Sequence, residues 1–450
     1  MDLPVIQLNR KPRYLKIQEK INFLSLFQVI EKDNENCFFL ESLDQDNYNS
    51  RYSIIGFQPE GLITSRGDEL HWNGKTYHFS NPYWELRKLM PPPNLSRDYA
   101  GGLVGYLSYE AMNYFEPTLN LPVDERFPQI QMGIYKDGLV EDKMTGEIFY
   151  FYYDHSRLDM IQEYIHSEKI EAGKVSIEKL GFSMSEDEHS RNVESILEEI
   201  RSGNTFQCQL GFKTEYKITG DLFSVYLKLR EINPSPHMYF IKFGEIKILG
   251  ASPELLFRLH NGQMESFPLA GSIRRGRNPE EDREFTRKLL NDPKEIAEHN
   301  MLVDLHRNDI GRVSQYGTVK VRKFMDIKKF SHIQHISSEV TGIIKHSEDM
   351  FSGLAANFPA GTLSGAPKIE SMKIIRKTEK IPRGIYGGAI GHFGFNGNCT
   401  FAIPIRSLFV SGTYAYTQAS GGIVYDSLPE NEYDEIKRKS RALEKVLESL

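Results

Sequence analysis

The 450-residue sequence has few cysteines and no long apolar segment. Its three cysteines, Cys37, Cys208 and Cys399, are odd in number and widely spaced, which fits neither a disulfide framework nor a zinc site. No apolar run reaches the roughly 18 residues of a membrane-spanning helix, and the first residues lack the apolar core of a signal peptide. We therefore expect a soluble, cytoplasmic protein in a reducing compartment.

An excess of charge of either sign is also missing. The 55 basic and 61 acidic residues leave a net charge of -6. This balance excludes the basic surface of a nucleic-acid-binding protein and the polybasic patch of a membrane-surface protein. Hydrophobic residues at 40% and charged residues at 26% are typical of globular chains, and the length suits two domains or one large layered unit. Strand-like runs dominate up to about residue 155, and we place a candidate boundary within residues 174–185.

The last stretch, residues 429–450, predicts a helix that begins at Pro429. Helical spacing aligns four apolar residues on one stripe, namely Ile436, Leu443, Val446 and Leu450, and places Glu444 on the opposite, solvated face. Glu432, Glu435 and Lys439 fall on this same stripe. Burying such charges without partners costs several kcal/mol each, so two interpretations stay open. Either the start of the helix protrudes into solvent, or these groups bind a metal, a ligand or one another.

A second predicted helix, residues 292–305, carries apolar side chains nearly all round and is expected to be buried. Glu298 lies among those apolar residues. An arginine or backbone partner is one explanation for a carboxylate in such a place. A divalent cation shared with the last helix is another, and oxygen-only ligands favour Mg²⁺ over zinc.

Two loops are rich in glycine. Residues 357–375 run from a glycine-bearing loop through Pro367 into an amphipathic helix, and exposed amides at such a helix start suit an anion. Ile369 stands where a phosphate-binding loop requires serine or threonine, which excludes the nucleoside-triphosphatase interpretation. Farther on, Asn396-Gly397 predicts a hairpin turn into a strand over residues 400–410, in which Pro404 indicates an edge or a bulge.

These stretches, in this order, resemble the chorismate-utilising enzymes, most closely the large subunits of anthranilate synthases. The resemblance is strong over about residues 195–450 and weak before them. Its most specific motifs are FPAGTLSGAPK at 358–368, AEH…LVDL…RND within 297–309, RG…YGGA from 383, and GIV…DS from 422. It implies an α+β fold of two packed antiparallel sheets with outer helices. It also implies an N-terminal regulatory or structural region, 1–175, partly interwoven with a catalytic chorismate-binding region, 176–450.

The resemblance also implies a set of site residues. Glu298 and Glu435 would hold Mg²⁺ against the ring carboxylate of chorismate, with Glu432 supporting the site. Glu254 matches the general acid that protonates the departing 4-hydroxyl, and His335 a histidine tied to pyruvate elimination. The positions that match contacts to the substrate carboxylates are Gly271, Thr362, Tyr386, Arg406, Gly422 and Lys439.

Two positions separate the branches of this family. Gln207 replaces the lysine that activates water in isochorismate- and salicylate-forming members. Ala270 replaces the nucleophilic lysine common in aminodeoxychorismate synthases. Both replacements imply that ammonia adds at C2 and that elimination gives anthranilate, the first step of tryptophan biosynthesis. No Cys-His amidotransferase segment is apparent, so ammonia would come from a separate glutamine amidotransferase subunit. The alternatives are an aminodeoxychorismate synthase component I, an aminodeoxyisochorismate-forming relative, or a non-catalytic regulatory homologue.

Two further segments resemble the tryptophan feedback site of these enzymes. Their residues are Glu41, Ser42, Pro234, Ser235, Pro236 and Met238, and His237 departs from the aromatic residue usual there. Other departures lie nearer the predicted active site. Gln207–Lys213 replaces an apolar run that ends in Ser-Arg, and Ser420-Gly421 replaces Gly-Ala beside the pyruvyl pocket. Such changes leave open a different reaction branch, for example one that gives an aminodeoxyisochorismate product, with the metal site unmoved.

Overall fold

The computed structural model describes residues 3–43, 51–94, 96–168, 170–329 and 333–450. Within these residues the helices are α1 Phe23–Asp33, α2 Pro82–Leu89, α3 Leu158–His166, α4 Glu186–Arg201, α5 Leu222–Ile232, α6 Pro279–Leu290, α7 Pro293–Val313, α8 Met350–Asn357, α9 Lys368–Thr378 and α10 Pro429–Glu448. Short 3₁₀ segments cover Tyr109–Tyr114, Pro117–Leu119 and Gly361–Leu363. No helix in the described ranges is long and apolar enough to cross a membrane.

The strands build two large sheets. They are β1 Arg13–Ile17, β2 Asn36–Glu41, β3 Tyr52–Phe57, β4 Leu62–Arg66, β5 Glu69–Trp72, β6 Lys75–His78, β7 Gly102–Leu107, β8 Ile130–Tyr135, β9 Asp137–Asp142, β10 Glu147–Tyr152, β11 Val175–Phe182, β12 Gln207–Gly220, β13 His237–Phe243, β14 Ile246–Ser252, β15 Leu255–His260, β16 Gln263–Ser266, β17 Leu269–Arg274, β18 Lys320–Lys329, β19 Ile333–Ile343, β20 Gly365–Ala366, β21 Ala389–Gly394, β22 Cys399–Ala402, β23 Ser407–Ser411 and β24 Tyr414–Ile423. The predicted α+β class with two antiparallel sheets is confirmed.

Each sheet contains twelve strands. Sheet A has the order β1-β10-β9-β3-β2-β13-β14-β23-β24-β12-β11, with β20 also paired to β12. Sheet B has the order β17-β19-β16-β15-β22-β21-β7-β8-β4-β5-β6, with β18 also paired to β19. Strands from before and after residue 175 occur in both sheets, and the predicted boundary segment 174–185 contains strand β11 at the edge of sheet A. The division into regions 1–175 and 176–450 stays a prediction.

The largest apolar core lies between the sheets and joins side chains of both. Phe38 of sheet A and Phe257 of sheet B are fully buried in it. The next residue along β2, Phe39, points to the opposite face of sheet A because side chains alternate along a strand. There it packs in a second core with Phe27 of α1 and Val446 of α10. Helix α10 is thus held against the outer face of sheet A.

Helix α10 differs from the predicted pattern of buried and exposed residues in two respects. Leu447 is buried where Leu450 was expected, since the helix ends at Glu448 and Leu450 is exposed. Glu444, predicted to be solvated, is buried and forms an ion pair with Lys179 of β11 at 3.2 Å. A partner strand that local spacing does not reveal explains both the burial and the pairing.

The prediction of an all-apolar, buried helix at residues 292–305 is wrong. Helix α7 is longer and amphipathic, and its exposed residues include Ala297. Two histidines occupy its buried face instead: His299 bonds the Ser338 hydroxyl at 2.7 Å, and His306 bonds the Ser266 hydroxyl. A hydrogen-bonded imidazole is tolerated inside, although a hydropathy pattern counts it as polar.

Candidate active site

The chain crosses from one sheet to the other just before Arg406. The single strand predicted over residues 400–410 is in fact two strands, β22 in sheet B and β23 in sheet A. Arg406 lies at the crossing in the left-handed backbone region, with φ of 51°. Its partly buried guanidinium forms no hydrogen bond or ion pair with the described residues, and burial lowers the pKa of Arg406 while Glu254 opposes this effect. Such a cation suits a carboxylate ligand, which arginine binds in bidentate fashion.

Glu254 lies between β14 and β15 and is buried. The Thr362 hydroxyl donates a hydrogen bond to its Oε1 at 3.0 Å. Burial raises the pKa of Glu254 to about 7, although Thr362 and the nearby Arg406 act in the opposite direction. A carboxyl group with this pKa is substantially protonated near neutral pH and is therefore able to donate a proton.

His335 of β19 lies against Gly271 of β17, and its Nδ1 is 3.1 Å from the Gly271 carbonyl oxygen. A carbonyl only accepts, so Nδ1 carries the proton in the neutral ring and Nε2 does not. Burial, together with the charges of Arg406 and Lys439, lowers the pKa of His335 to about 4, although the hydrogen bond with Gly271 acts in the opposite direction. The imidazole is therefore neutral near pH 7 and able to act as a base.

Gly271 allows strand β17 and the Glu295 side chain of α7 to lie close together. It has φ of 66° and lies at a register shift in the β17–β19 pairing. A Cβ added there would lie 2.8 Å from Oε2 of Glu295 on α7. Any larger residue would therefore displace an acidic side chain of the site.

Gln207, the first residue of β12, connects sheet A to helix α7. Its Nε2 donates to Glu298 Oε1 at 3.4 Å, and a Cβ added to Gly422 would lie 2.6 Å from the same Nε2. Its Oε1 is buried without a hydrogen-bond partner in the described parts of the chain. An unpaired buried carbonyl oxygen favours a ligand that donates a hydrogen bond.

Glu295 and Glu298 of α7 lie near Glu432 and Glu435 of α10. Burial raises the pKa of Glu295. The negative charges of Glu298, Asp292 and Glu435 raise it as well. Burial followed by Glu435 raises the pKa of Glu432, whose Oε2 is buried without a partner among the described residues. Glu295 and Glu432, whose pKa values are raised by burial and by neighbouring carboxylates, suit a cation beside them.

This cluster fits Mg²⁺ in the chemistry of its donors. It offers only oxygen ligands, including the unpaired Glu432 oxygen. Among the described residues, however, no three His, Cys, Asp or Glu side chains are already gathered closely enough to hold a metal ion. A bound cation would have to draw carboxylates of α7 and α10 together, and Glu435 would exchange its 2.9 Å ion pair with Lys439.

Lys439 and Tyr386 meet at Ser420 on β24. The Lys439 ammonium donates to the Ser420 carbonyl oxygen at 2.9 Å. The Tyr386 hydroxyl lies 2.9 Å from the Ser420 hydroxyl. These contacts join helix α10 to the glycine-rich loop that precedes β21, so two of the predicted carboxylate-binding residues, Tyr386 and Lys439, meet at one residue.

The structure therefore brings the twelve predicted active-site positions together, while their individual roles stay predictions. Sequence reasoning missed Glu295, although its spacing of three residues from Glu298 on a helix was a usable signal. It also missed that Gln209 and Ser420 contact each other. Only the pairing of β12 with β24 reveals that contact.

The residues predicted to bind tryptophan lie elsewhere, between the two sheets. A cavity of about 360 Å³ is lined by Glu41, Ser42, Pro236 and Met238, and also by residues of β15, β21 and β22. Pro234 and Ser235 lie in the adjoining loop, where the Ser235 carbonyl accepts from the Leu43 amide at 3.0 Å. The Glu41 carboxylate is already paired with Arg230 at 2.8 Å. The assignment of this cavity to tryptophan stays a prediction.

Comparisons with known proteins agree with this geometry. A family model described as chorismate binding enzyme matches residues 35–445. Anthranilate synthase component 1 of Leptospira biflexa is 53% identical over 453 residues, which cover 99% of this chain and 98% of that protein. The protein of the same name from Methanothermobacter thermautotrophicus is 42% identical over 96% of this chain and 94% of its own length.

Solved structures give the same result. Anthranilate synthase component I from Streptococcus pneumoniae superposes with a TM-score of 0.78 at 32% identity, over 88% of this chain and 92% of that one. The menaquinone-specific isochorismate synthase MenF of Escherichia coli superposes with a TM-score of 0.77 at 16% identity, over 98% and 95%, which is a likeness of fold alone. Because the family model matches residues 35–445 and the Leptospira biflexa protein is 53% identical over nearly the whole chain, the chain belongs to the family of chorismate-binding enzymes.

Proposed function

We propose that this chain is the lyase that converts chorismate and ammonia into anthranilate, pyruvate and water, with Mg²⁺ as its cofactor. Ammonia would add at C2 as the 4-hydroxyl leaves, and elimination of the enolpyruvyl group would follow. The observation that carries the proposal is that the buried Glu254 carboxyl lies near the Arg406 guanidinium, which forms no hydrogen bond or ion pair with the described residues. A proton donor next to a carboxylate-binding cation is what this allylic substitution needs.

Each group has a task that its surroundings permit. Protonated Glu254 donates to the departing hydroxyl, while the Thr362 hydroxyl holds its other oxygen. Neutral His335 takes the C2 proton in the elimination step at Nε2, because Nδ1 donates to the Gly271 carbonyl. Arg406 and Lys439 bind the two substrate carboxylates and hold the ring between these groups.

The chemistry of the Gln207 side chain indicates which nucleophile the enzyme uses. A carboxamide is not basic enough to activate water, so a nucleophile that is already reactive, ammonia, is required. Its buried and unpaired Oε1 is available to accept a hydrogen bond from that amine. Supply by a separate glutamine amidotransferase subunit accords with the component 1 names of the relatives. No comparison favours an aminodeoxychorismate product.

Glu298 and Glu435 would hold Mg²⁺, with Glu295 and Glu432 beside them. When bound, Mg²⁺ would neutralise the ring carboxylate of chorismate and so lower the barrier to attack by the nucleophile. The unpaired oxygen of Glu432 and the mutual repulsion of these carboxylates support this assignment. We further propose that the enzyme works in the cytoplasm as one subunit of a heteromer.

The test is to incubate the purified chain with chorismate, Mg²⁺ and ammonium at mildly alkaline pH. Anthranilate fluorescence and pyruvate release should both appear, and both should disappear with EDTA. Glutamine in place of ammonium should yield nothing until an amidotransferase subunit is added. Consumption of chorismate without anthranilate would contradict the proposed reaction, and the mass of the accumulated product would then identify the branch.

A further inference from the structure

Ser420 lies where three parts of the site meet. Its hydroxyl donates to Gln209 Oε1 at 2.9 Å and lies 2.9 Å from the Tyr386 hydroxyl. Its backbone carbonyl accepts from Lys439 at 2.9 Å. Ser420, Gln209 and Tyr386 are all buried, with 5%, 6% and 3% of their surfaces exposed. A buried chain of three polar side chains therefore ends on a residue predicted to contact substrate.

Strand register explains why these side chains meet. In the β12–β24 pairing, Gln209 is opposite Gly422 and Gly211 is opposite Ser420. Gln209 and Ser420 are therefore diagonal neighbours on one face, a distance that a long side chain spans. A Cβ added to Gly211 would lie 2.8 Å from the Ser420 Cβ, so only glycine leaves this space open.

The hydrogen bonds that join Tyr386, Ser420 and Gln209 run in one direction in the ligand-free protein. The single hydroxyl proton of Ser420 goes to Gln209 Oε1, because a carboxamide oxygen only accepts. Tyr386 must then donate its own proton to the Ser420 oxygen. Burial raises the pKa of Tyr386 to about 12, so the phenol keeps that proton near neutral pH. In this state the Tyr386 proton is directed away from any bound substrate.

A carboxylate of the substrate needs the opposite arrangement, since it only accepts hydrogen bonds. A carboxamide permits the change because it carries both an acceptor and two donors. Half a turn of the Gln209 amide brings Nε2 to the Ser420 oxygen. Ser420 is then able to donate to Tyr386, and Tyr386 to the substrate. The unturned Nε2 lies beside Gly422, 3.0 Å from the position of an added Cβ.

We propose that Gln209 and Ser420 are positioning residues for the Tyr386 hydroxyl, forming a hydrogen-bond chain whose direction reverses when a substrate carboxylate binds. The inference rests on the proposed function for its substrate. It assigns a role to two residues outside the set that the family resemblance carried over. Of the two predicted substrate-binding residues that contact Ser420, Tyr386 meets its side chain, whereas Lys439 meets its backbone carbonyl. Removing the hydroxyl therefore isolates the Tyr386 part of the site.

A double-mutant cycle tests this inference on the full chain with chorismate, Mg²⁺ and ammonium. Ser420→Ala and Tyr386→Phe should each raise KM for chorismate between about twofold and tenfold, the range that one neutral hydrogen bond supplies. The value of kcat should stay within about twofold, because the contact is made equally before and in the transition state. The double variant should match Tyr386→Phe alone, since Ser420 acts only through that hydroxyl.

A second variant keeps the test decisive if Ser420→Ala folds poorly. Gln209→Met preserves length and removes every donor and acceptor, so its KM should rise by a similar factor and should not add to Tyr386→Phe. Gln209→Glu accepts but does not donate when ionised, so the chain should not reverse and KM should rise at least as much. Thermal unfolding confirms that each variant is folded.

The protein contains a similar group of residues, distant in sequence from Ser420, that provides a matched control. Ser65, Tyr114 and Gln129 form a buried triad of the same residue types, with Ser65 and Tyr114 hydroxyls 2.7 Å apart and Tyr114 donating to Gln129 at 3.1 Å. Ser65→Ala should leave KM unchanged. Additive effects of Ser420→Ala and Tyr386→Phe, or an equal KM increase in Ser65→Ala, would overturn the positioning role in an otherwise active enzyme. A wild-type chain that does not consume chorismate would overturn the proposed function, and this inference with it.

Discussion

At the scale of single residues, Glu254 shows how burial supplies a chemical property that the side chain lacks in water. A solvated glutamate is ionised at pH 7, whereas the pKa of Glu254 rises to about 7. The two groups that oppose this rise, Thr362 and Arg406, are weaker than the loss of hydration. The residue therefore keeps a proton to donate, and the same burial makes its ionised form a cost to folding.

The first prediction concerns catalysis. Glu254→Gln should lower kcat by roughly a hundredfold to ten-thousandfold, the range of general-acid catalysis, since the amide still accepts from Thr362 but has no proton to transfer. Steady-state anthranilate formation measures this effect. In the wild type, the rate at a fixed concentration of free ammonia should also fall as pH rises above about 7, because Glu254 loses its proton there. A variant that retains wild-type kcat would exclude Glu254 as the acid.

The second prediction concerns stability. Because the pKa of Glu254 is higher in the folded chain, its contribution to stability is complete below pH 4.5 and is lost as pH rises through about 7. Between pH 5.5 and 8.5 this loss amounts to about 2 kcal/mol for such a shift. Urea unfolding at the two pH values should show that Glu254→Gln loses less stability than the wild type. An equal loss of stability in the variant and the wild type would mean that the pKa of Glu254 is not raised in the folded protein.

The third prediction concerns the reaction branch. Ala270 is buried on β17, next to Gly271. Ala270→Lys would place an amine where aminodeoxychorismate synthases commonly carry a nucleophile, so we expect a covalent or aminodeoxychorismate-like product. Mass spectrometry of the protein and of the products tests this. Ala270→Met is the control for side-chain bulk, and unchanged anthranilate output from Ala270→Lys would show that position 270 does not set the branch.

At the scale of elements, helices α7 and α10 make the acidic cluster jointly. Each helix contributes carboxylates three residues apart, Glu295 with Glu298 and Glu432 with Glu435, so each pair faces one direction. Burial of Ile436 and Val446 holds α10 in the position that brings its pair toward α7. The apolar stripe of the helix is thus the support of the site.

The fourth prediction concerns this cluster. Glu435→Gln should lower Mg²⁺-dependent turnover at least about a hundredfold, since a bound cation supplies several kcal/mol of catalysis. Calorimetric titration with Mg²⁺ alone should show weaker binding in the variant. Glu448→Gln, an exposed position at the far end of α10, is the matched control and should behave as the wild type. An active Glu435→Gln enzyme that still requires Mg²⁺ would contradict the metal assignment.

At the scale of the whole molecule, the two sheets enclose the cavity predicted to bind tryptophan. Its walls come from β2 and β13 of sheet A and from β15, β21 and β22 of sheet B. A ligand there would contact both sheets at once, and Arg406, which is predicted to bind substrate, lies on a crossing between the same sheets. The cavity and Arg406 therefore both depend on how the same two sheets pack together.

The fifth prediction is that tryptophan binds in this cavity. A ligand that binds only the folded chain stabilises it, by about 2.7 kcal/mol at a hundred times its Kd. Thermal unfolding should therefore shift upward with L-tryptophan and not with D-tryptophan. Met238→Trp would fill part of the cavity and should abolish the shift. An unchanged melting temperature in the wild type would mean that this chain does not use the cavity for tryptophan.

The sequence by itself determined the local elements, because strand alternation and helical periodicity act over a few residues. It predicted a strand-rich region up to about residue 155 and the start of α10 at Pro429, and its motifs led to twelve positions that the structure gathers. Features that depend on distant partners were missed or predicted wrongly. Whether α7 buries histidines depends on serines of β16 and β19, and the burial of Glu444 depends on β11.

Only the tertiary structure decided how these elements meet. The apolar character of residues 400–410 is the same whether they form one strand or two, and only packing of the sheets separates β22 from β23 and places Arg406 between them. The contact of Gln209 with Ser420 likewise requires the register of β12 against β24. Such pairings join residues about 200 positions apart, and local sequence patterns carry no information on register across that distance.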